Sequence, residues 1–163
     1  MTEQQRIALA EGIGTLILVV GGPGTAILAT GAFTPGSSVL VLGVAYKRDI
    51  DDVRESPALD VMKLLADKGA EVEYSDPHVP FLTADAWHGP RALQAVTIDA
   101  AAVASFDCIV ITTDHSRFDY ALIVEHGRSV IDTRNAVDRA LSRAQPAVVR
   151  LGASGTVPAA VAA

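Results

Sequence analysis

The stretch VLVLGVA at residues 39–45 decides the fold of this chain. A continuous run of apolar and small residues that is rich in valine and leucine is typical of a strand buried on both faces. Strands of this kind occur in parallel sheets that helices cover on either side. We therefore expect residues 39–45 to form an inner strand of an α/β domain.

A helix and a second strand are predicted directly after this stretch. Beyond a polar loop, Ser56 offers a side-chain oxygen for an N-cap, and Pro57 suits the first helical position. Apolar residues then recur at helical spacing, and Gly69 predicts the end of the helix. The alternation at 71–74 predicts the second strand, which the turn at 76–77 ends. These segments make one right-handed β-α-β unit.

The alternation of strands and helices continues less regularly beyond this unit, and one segment, at 84–95, fits neither pattern. The further expected elements are a short helix capped by Asp99, a strand at 108–112, a helix at 120–126 that ends at Gly127, and a final strand at 129–132. The sequence therefore predicts an α/β fold with a Rossmann-like parallel sheet flanked by helices, preceded by an apolar N-terminal helix.

Length and composition exclude several classes of protein. The chain has 163 residues, of which 50% are hydrophobic and 20% charged, which suits one domain of ordinary size and excludes wholesale disorder. The net charge of −6 gives no bulk electrostatic basis for binding nucleic acid. A single cysteine, Cys108, excludes an internal disulfide framework. The simplest interpretation is a cytoplasmic protein.

The uneven distribution of charge divides the chain. Residues 12–33 form an uncharged, mostly apolar run of 22 residues. At about 1.5 Å per residue, a helix of this length could cross a bilayer core of about 30 Å. Membrane association through residues 7–33 is therefore an open alternative. The expected division is an apolar N-terminal segment and linker at 1–36, the α/β domain at 37–151 and a tail at 152–163.

Three cations are expected at the carboxyl edge of the predicted sheet, where ligands of open α/β sheets bind. Lys47 follows the first strand, Arg54 precedes a helix N-terminus, and Arg134 follows the last strand. Guanidinium forks, an ammonium point charge and helix amides together suit a phosphate ligand. The alternative is that these are surface charges paired with the nearby acids Asp49, Asp51 and Asp52.

Other candidate chemistry is weaker. Cys108 lies within an apolar run, so we expect a buried, inert thiol. No histidine has a metal-ligand spacing, and we expect no metal site, although Asp76 with His78, and Asp114 with His115, could contribute to a site. The glycines at 21–24 imitate a dinucleotide loop, but Ile27 stands where the third glycine belongs. A closely packed apolar helix explains them better.

Several long motifs, in order, carry a resemblance to a known family. They are VLGVAYKRDIDDVRESPAL at 41–59, GAEVEYSDP at 69–77, TTDH at 112–115 and IDTRN at 131–135. Residues 37–151 resemble the C-terminal domain of UDP-glucose/GDP-mannose dehydrogenases, and within that family they look most like bacterial nucleotide-sugar 6-dehydrogenases. The resemblance implies two NAD-dependent oxidations that turn the C6 hydroxyl of a nucleotide sugar into a carboxylate.

The resemblance also implies roles for individual residues. Tyr46 and Lys47 would contact the UDP-sugar, Arg134 would contact its sugar or phosphate end, and Arg54 would reach the NAD phosphates. The family's N-terminal Rossmann domain and the central domain with the catalytic cysteine have no counterpart here, and Cys108 does not match that cysteine. We therefore expect a UDP-sugar-binding domain that is inactive alone. Its expected partners are the missing dehydrogenase domains or a second copy of itself.

The N-terminal segment resembles a different family. The stretch LAEGIGTLILVVGGPGTA at 9–26 looks like the first transmembrane helix of aquaporin-type channels. No Asn-Pro-Ala pore motif occurs in the sequence, so a water channel is excluded. The alternative function is therefore a membrane-tethered or truncated hybrid remnant without catalysis.

Overall fold

The computed structural model describes residues 35–137 and 148–150, and all structural statements below concern these residues. Their elements, in chain order, are β1 (Ser38–Leu42), α1 (Pro57–Asp67), β2 (Glu71–Ser75), β3 (Phe81–Leu82), α2 (Ala84–Trp87), β4 (Leu93–Gln94), α3 (Ala100–Ser105), β5 (Cys108–Ile111), α4 (Tyr120–His126), β6 (Val130–Asp132) and β7 (Val148–Arg150). Five of these strands form one sheet in the order β2-β1-β5-β6-β7, and all pairs in this sheet are parallel. The predicted parallel sheet flanked by helices is confirmed.

Strand β1 is buried on both faces, as its apolar run predicts. Val39 and Val41 pack in a cluster with residues of α1, whereas Leu40 and Leu42 pack in a second cluster with residues of α3 and α4. Alternate side chains of a strand point to opposite faces, so one strand serves both cores. The sheet is therefore the middle layer of three, with helices on either side.

The strand β1 is shorter than the apolar run that predicted it. It ends at Leu42, because Gly43 turns into the left-handed region with a φ of 82°. A Cβ at Gly43 would lie 2.3 Å from the carbonyl oxygen of Thr113, so only glycine fits there. Val44 and Ala45 remain buried, but they already belong to the loop that follows the strand.

The helix caps agree only in part with the predictions. Asp99 caps α3 as expected, because its Oδ1 accepts the N–H of Ala102 at 2.7 Å. Pro57 stands at the start of α1, and Gly69 follows its end with a φ of 91°. The predicted side-chain cap by Ser56 was wrong. Its hydroxyl is buried and has no hydrogen-bond partner within the described ranges.

Two segments complete the fold in ways that the patterns did not predict. The ambiguous stretch at 84–95 contains the short helix α2 and strand β4, which pairs antiparallel with β3. The strand at 129–132 is not the final one, since β7 adds to the sheet beside β6. A three-residue strand carries too short a pattern to be recognised from sequence.

The predicted N-terminal helix, the aquaporin-type resemblance and the proposed membrane segment at 7–33 lie outside the described residues. Among the helices of residues 35–137, none has both the length and the apolar character that crossing a membrane requires.

Candidate functional site at the carboxyl edge of the sheet

A buried carboxylate, that of Asp76, ties together three segments at the carboxyl edge of the sheet. Asp76 directly follows β2 and is 4% exposed. Its Oδ2 accepts the N–H groups of Val44, at 2.8 Å, and Ala45, at 3.1 Å. Its Oδ1 accepts those of His78, at 2.8 Å, and Val79, at 3.2 Å. Four amide donors compensate the desolvation of this charge, and they fix the loop after β1 against β2.

His115 joins the third strand end to the same carboxylate. Its ring is fully buried, and Nε2 lies 2.9 Å from Oδ2 of Asp76. Its Nδ1 accepts the backbone N–H of Asp49 at 2.9 Å. Because Nδ1 acts as an acceptor, the proton of the neutral ring belongs on Nε2, which donates it to Asp76. The loops after β1, β2 and β5 are thus held by one hydrogen-bonded chain.

Asp49 is the last residue in this series of hydrogen bonds. Its backbone is in the left-handed region, with a φ of 60°. Its Oδ1 accepts the N–H of Ser116 at 2.8 Å. That amide, with smaller contributions from the Ser116 hydroxyl and the Arg48 guanidinium, holds the pKa of the Asp49 carboxyl below its ordinary value. The Nε2 of His78 lies 3.7 Å from the same Oδ1 atom. Three side chains from three loops, Asp49, His78 and His115, therefore face one another.

A second buried carboxylate shapes the loop that carries Arg134. Asp132 ends β6 and accepts the N–H groups of Arg134, Ala136 and Val137 at 3.0, 3.1 and 2.9 Å. These bonds turn the chain sharply after the strand. The turn presents Arg134 to solvent at the carboxyl edge of the sheet, next to the loop after β5.

Asp114 brings two arginines together. Its Oδ1 accepts from Nε of Arg134 at 3.3 Å, and its Oδ2 lies 3.7 Å from Nη1 of Arg48. A polar crevice of about 370 Å³ opens beside this group. It is lined by Arg48, Asp114, Ser116, Phe118, Tyr120, Asn135 and Ala136. The crevice therefore lies between the loops that follow β1, β5 and β6.

Residues 40–139 match the model of the UDP-glucose/GDP-mannose dehydrogenase family, UDP binding domain. The chain belongs to this family. The described α/β domain is the C-terminal UDP-binding domain of UDP-sugar dehydrogenases, and the resemblance to this family is confirmed over residues 40–139.

Individual relatives support the same assignment for the UDP-binding domain. A UDP-N-acetyl-D-mannosamine dehydrogenase of Methanococcus maripaludis is 31% identical over 125 residues, which is 72% of this chain and 27% of the relative. A UDP-glucose 6-dehydrogenase of Rickettsia bellii is 36% identical over 107 residues, or 61% of this chain and 24% of the relative. The chain thus spans about a quarter of the length of these curated relatives.

Solved structures show the same domain. The UDP-D-ManNAc dehydrogenase of Pyrococcus horikoshii is 28% identical with a TM-score of 0.53, over 75% of this chain and 28% of that one. A UDP-glucose dehydrogenase of Pyrobaculum islandicum, at 24% identity and a TM-score of 0.59, covers 82% of this chain and 29% of its own and shares the fold.

The predicted site residues of the UDP-binding domain all follow the carboxyl ends of strands, but they are differently engaged. Lys47 has its ammonium 5.4 Å from the ring centroid of Tyr46, and among the described residues it has no carboxylate within 4.0 Å. Arg134 is paired with Asp114. Arg54 is paired with Asp52, as the surface-charge alternative expected, and its side chain is 86% exposed.

The pairing of Arg54 with Asp52 is bidentate. Nε and Nη2 of Arg54 donate to the two carboxylate oxygens at 2.9 and 2.8 Å, and the N–H of Arg54 donates to Oδ1 at 3.0 Å. The guanidinium therefore lowers the pKa of Asp52 to about 2 and raises that of Arg54. The loop is closed by a backbone hydrogen bond of 2.8 Å from Tyr46 to Asp52, which brings this pair back towards Tyr46.

Sequence reasoning missed Arg48 and the anchoring roles of Asp76 and Asp132. It named His78 and His115 as possible contributors to a site but gave them no role and no partner beyond their sequence neighbours. Their partners are far away in sequence, so the strand order would have been needed to connect them. The predicted burial of Cys108 is confirmed, since its side chain is fully buried. Burial raises the pKa of the thiol to about 12.

Proposed function

We propose that the carboxyl edge of this sheet binds the diphosphate and sugar of a UDP-sugar, with Tyr46, Lys47 and Arg134 in contact with the ligand. The observation that carries the proposal is the membership of residues 40–139 in a UDP-binding family, combined with cations on the loops after β1 and β6. In parallel sheets these loops surround the binding crevice.

Each residue would make a distinct contribution. The exposed ammonium of Lys47 supplies a point charge that no described carboxylate neutralises. Arg134 donates to Asp114 through Nε, and its planar fork can offer further N–H groups to a phosphate oxygen. The ring of Tyr46 is half-exposed and places an aromatic face beside the lysine. Together they would recognise an anion that carries a planar or sugar group.

Arg54 is the only residue for which we propose a contact with NAD. Two of its side-chain nitrogens donate to Asp52, which leaves Nη1 and the solvent-exposed side of the fork for one phosphate oxygen. The residue fits a peripheral contact with a pyrophosphate and no more. In a complete enzyme, bound NAD would accept the hydride. Most of its binding contacts would come from the dinucleotide-binding domain that the family resemblance implies.

The activity we propose for the complete enzyme is the oxidation of the sugar C6 hydroxyl to a carboxylate in two NAD-dependent steps. Cys108 is sealed in the core and cannot act as the catalytic cysteine that the family resemblance assigns to the central domain. We therefore expect the purified chain to produce no NADH from UDP-sugars and NAD.

The binding proposal is tested by titrating the 15N-labelled chain with UDP-glucose and UDP-N-acetylmannosamine, with EDTA present. We expect amide shifts in the loops after β1 and β6, and at least a fivefold weaker binding in Lys47→Ala and Arg134→Ala. Matched controls are Lys68→Ala and Arg128→Ala, two exposed cations at the opposite edge of the sheet. Equal weakening by the controls, or no shifts at millimolar ligand, would contradict the proposal.

A further inference from the structure

The geometry points to a binding site for a zinc-class transition-metal ion at the carboxyl edge of the sheet, formed by Asp49, His78 and His115. Each of these residues offers one ligand atom, and the three atoms lie within 4.8 Å of one another. This inference does not rest on UDP-sugar binding, since it concerns side chains other than those proposed to hold the nucleotide.

The distances are close to those of a coordination shell. Oδ1 of Asp49 lies 3.7 Å from Nε2 of His78 and 3.7 Å from Nδ1 of His115. Tetrahedral zinc with bonds of about 2.0–2.1 Å holds its ligand atoms about 3.3 Å apart. The three atoms lie within 4.8 Å of one another, and a shift of the Asp49 carboxylate together with a rotation of the His78 ring would be needed to reach that spacing.

One of the three ligand atoms lacks a partner. The Nε2 atom of His78 is buried from solvent and has no hydrogen-bond partner among the described residues. Buried polar atoms are nearly always satisfied, so such an atom calls for an explanation. The Asp49 carboxylate lies 3.7 Å from this atom, and a cation between them would give the ring nitrogen a partner.

The surroundings of His115 match those of a metal-binding histidine. Its Nε2 donates to the buried carboxylate of Asp76, which fixes the ring and leaves the lone pair of Nδ1 directed at the backbone N–H of Asp49, with the Asp49 carboxylate 3.7 Å away. A carboxylate on the far nitrogen orients metal-ligating histidines and raises their basicity. Asp76 also accepts the backbone N–H of His78, so the same carboxylate fixes the main chain that carries the second imidazole.

Metal binding would also require the loss of one hydrogen bond. The Nδ1 of His115 accepts the N–H of Asp49 at 2.9 Å, and that bond must be given up. Asp49 lies in an exposed loop and has a φ of 60°, so a change in its backbone would also relieve strain. A mixed nitrogen and oxygen ligand set favours Zn²⁺ over Mg²⁺ or Ca²⁺. Three protein ligands leave a fourth position for water or an anion.

The test uses the full chain without a histidine tag, titrated with ZnSO₄ by isothermal calorimetry and with CoCl₂ by visible absorption. We expect one ion per chain and a tetrahedral Co²⁺ spectrum. His78→Gln and Asp49→Asn should weaken Zn²⁺ binding at least tenfold, whereas His126→Gln, a change of an exposed histidine on α4, should leave it unchanged. Asparagine tolerates the left-handed conformation of position 49, so Asp49→Asn is expected to fold.

Circular dichroism checks that each variant is folded before titration. The absence of saturable one-to-one binding in the wild-type chain would overturn the inference. Equal affinity in the wild type and in both ligand variants, or an equal loss in His126→Gln, would overturn it as well. Because the UDP-sugar titrations are made in EDTA, failure of metal binding leaves their outcome unaffected, and the two proposals can fail separately.

Discussion

The Nε2 atom of His115 donates a 2.9 Å hydrogen bond to Oδ2 of Asp76, although the two residues are 39 positions apart in the sequence and both side chains are fully buried. Around this bond, the loops that follow β1, β2 and β5 are held as one unit. The candidate site is thus positioned by buried polar groups beneath it.

Asp76→Asn should destabilise the fold by about 2–4 kcal/mol. All five groups around the carboxylate are donors, so the amide N–H₂ of asparagine would face donors whichever way it turns. Urea unfolding followed by circular dichroism measures the effect. The control is Asp51→Asn, an exposed aspartate in the loop after β1, which should change stability by less than about 0.5 kcal/mol. Similar losses in both variants would contradict the anchoring role.

Gly43→Ala should cost about 3 kcal/mol or more, because it combines a positive φ with a clash against the backbone of Thr113. Gly36→Ala is the matched control. Its φ of 90° is as unfavourable for alanine, but beyond its two chain neighbours no atom of the described residues lies within 4 Å of the added Cβ. We expect about 1–2 kcal/mol there. The difference between the urea midpoints of the two variants measures the steric contribution to the loss of stability. Equal losses of stability would show that the close approach to Thr113 is unimportant.

Ser56→Ala should leave stability unchanged or raise it, contrary to the usual loss of about 1 kcal/mol at an N-cap serine. The hydroxyl of Ser56 makes no capping hydrogen bond and is buried, so its removal relieves an unsatisfied polar group. Asp99→Ala, which removes a capping bond that is present, should cost about 1 kcal/mol. Thermal melts of both variants make the comparison. A clear destabilisation by Ser56→Ala would mean that the hydroxyl has a partner after all.

The pKa of Asp52 should rise from about 2 towards its ordinary value of 3.8 when Arg54 is changed to glutamine. The lowered pKa means that the pair contributes stability above pH 3.8 and that this contribution is lost as the pH falls towards 2. Carboxyl 13C shifts in an NMR titration report the change directly. Arg117→Gln is the control, since Arg117 donates to the carbonyl of Pro77 and to no carboxylate in the described ranges. An unchanged Asp52 titration in Arg54→Gln would contradict the pairing.

Cys108 should resist Ellman's reagent at pH 8 in the folded chain and react fully in urea. Burial raises the thiol pKa from 9.0 to about 12, so the folded state keeps its proton where the unfolded state loses it. The free energy of unfolding should therefore fall as the pH rises from 9 to 12, with a shallower slope in Cys108→Ala. Rapid labelling of the folded chain would show that the thiol is accessible.

The β-α-β unit at the start of the domain was predictable, because its patterns are local. An apolar run, a helical periodicity and Gly69 each act within a few residues. The first residue of β1 was predicted to within one position. Its last residue depends on the approach of Gly43 to Thr113, which exists only in the folded chain. A close contact between distant segments leaves no periodicity in either of them.

The site was predictable only as a location. The rule that ligands bind at the carboxyl ends of parallel strands placed Lys47, Arg54 and Arg134 at one edge of the sheet. Which side chains meet there depends on the strand order, in which β1 lies between β2 and β5. That order brings His78 and His115 next to each other and to Asp49. No spacing along the chain could have shown it.

Asp114 already occupies two guanidinium groups, those of Arg48 and Arg134. An anion that reaches these two arginines would therefore exchange places with an internal carboxylate, whereas Lys47 has no described carboxylate to displace. Exchange of this kind lowers affinity, because one ion pair is lost for each one gained. It also speeds departure, since the displaced carboxylate stands ready to recapture the arginines. A binding surface in which an internal carboxylate competes with the ligand favours rapid exchange of the ligand over long retention.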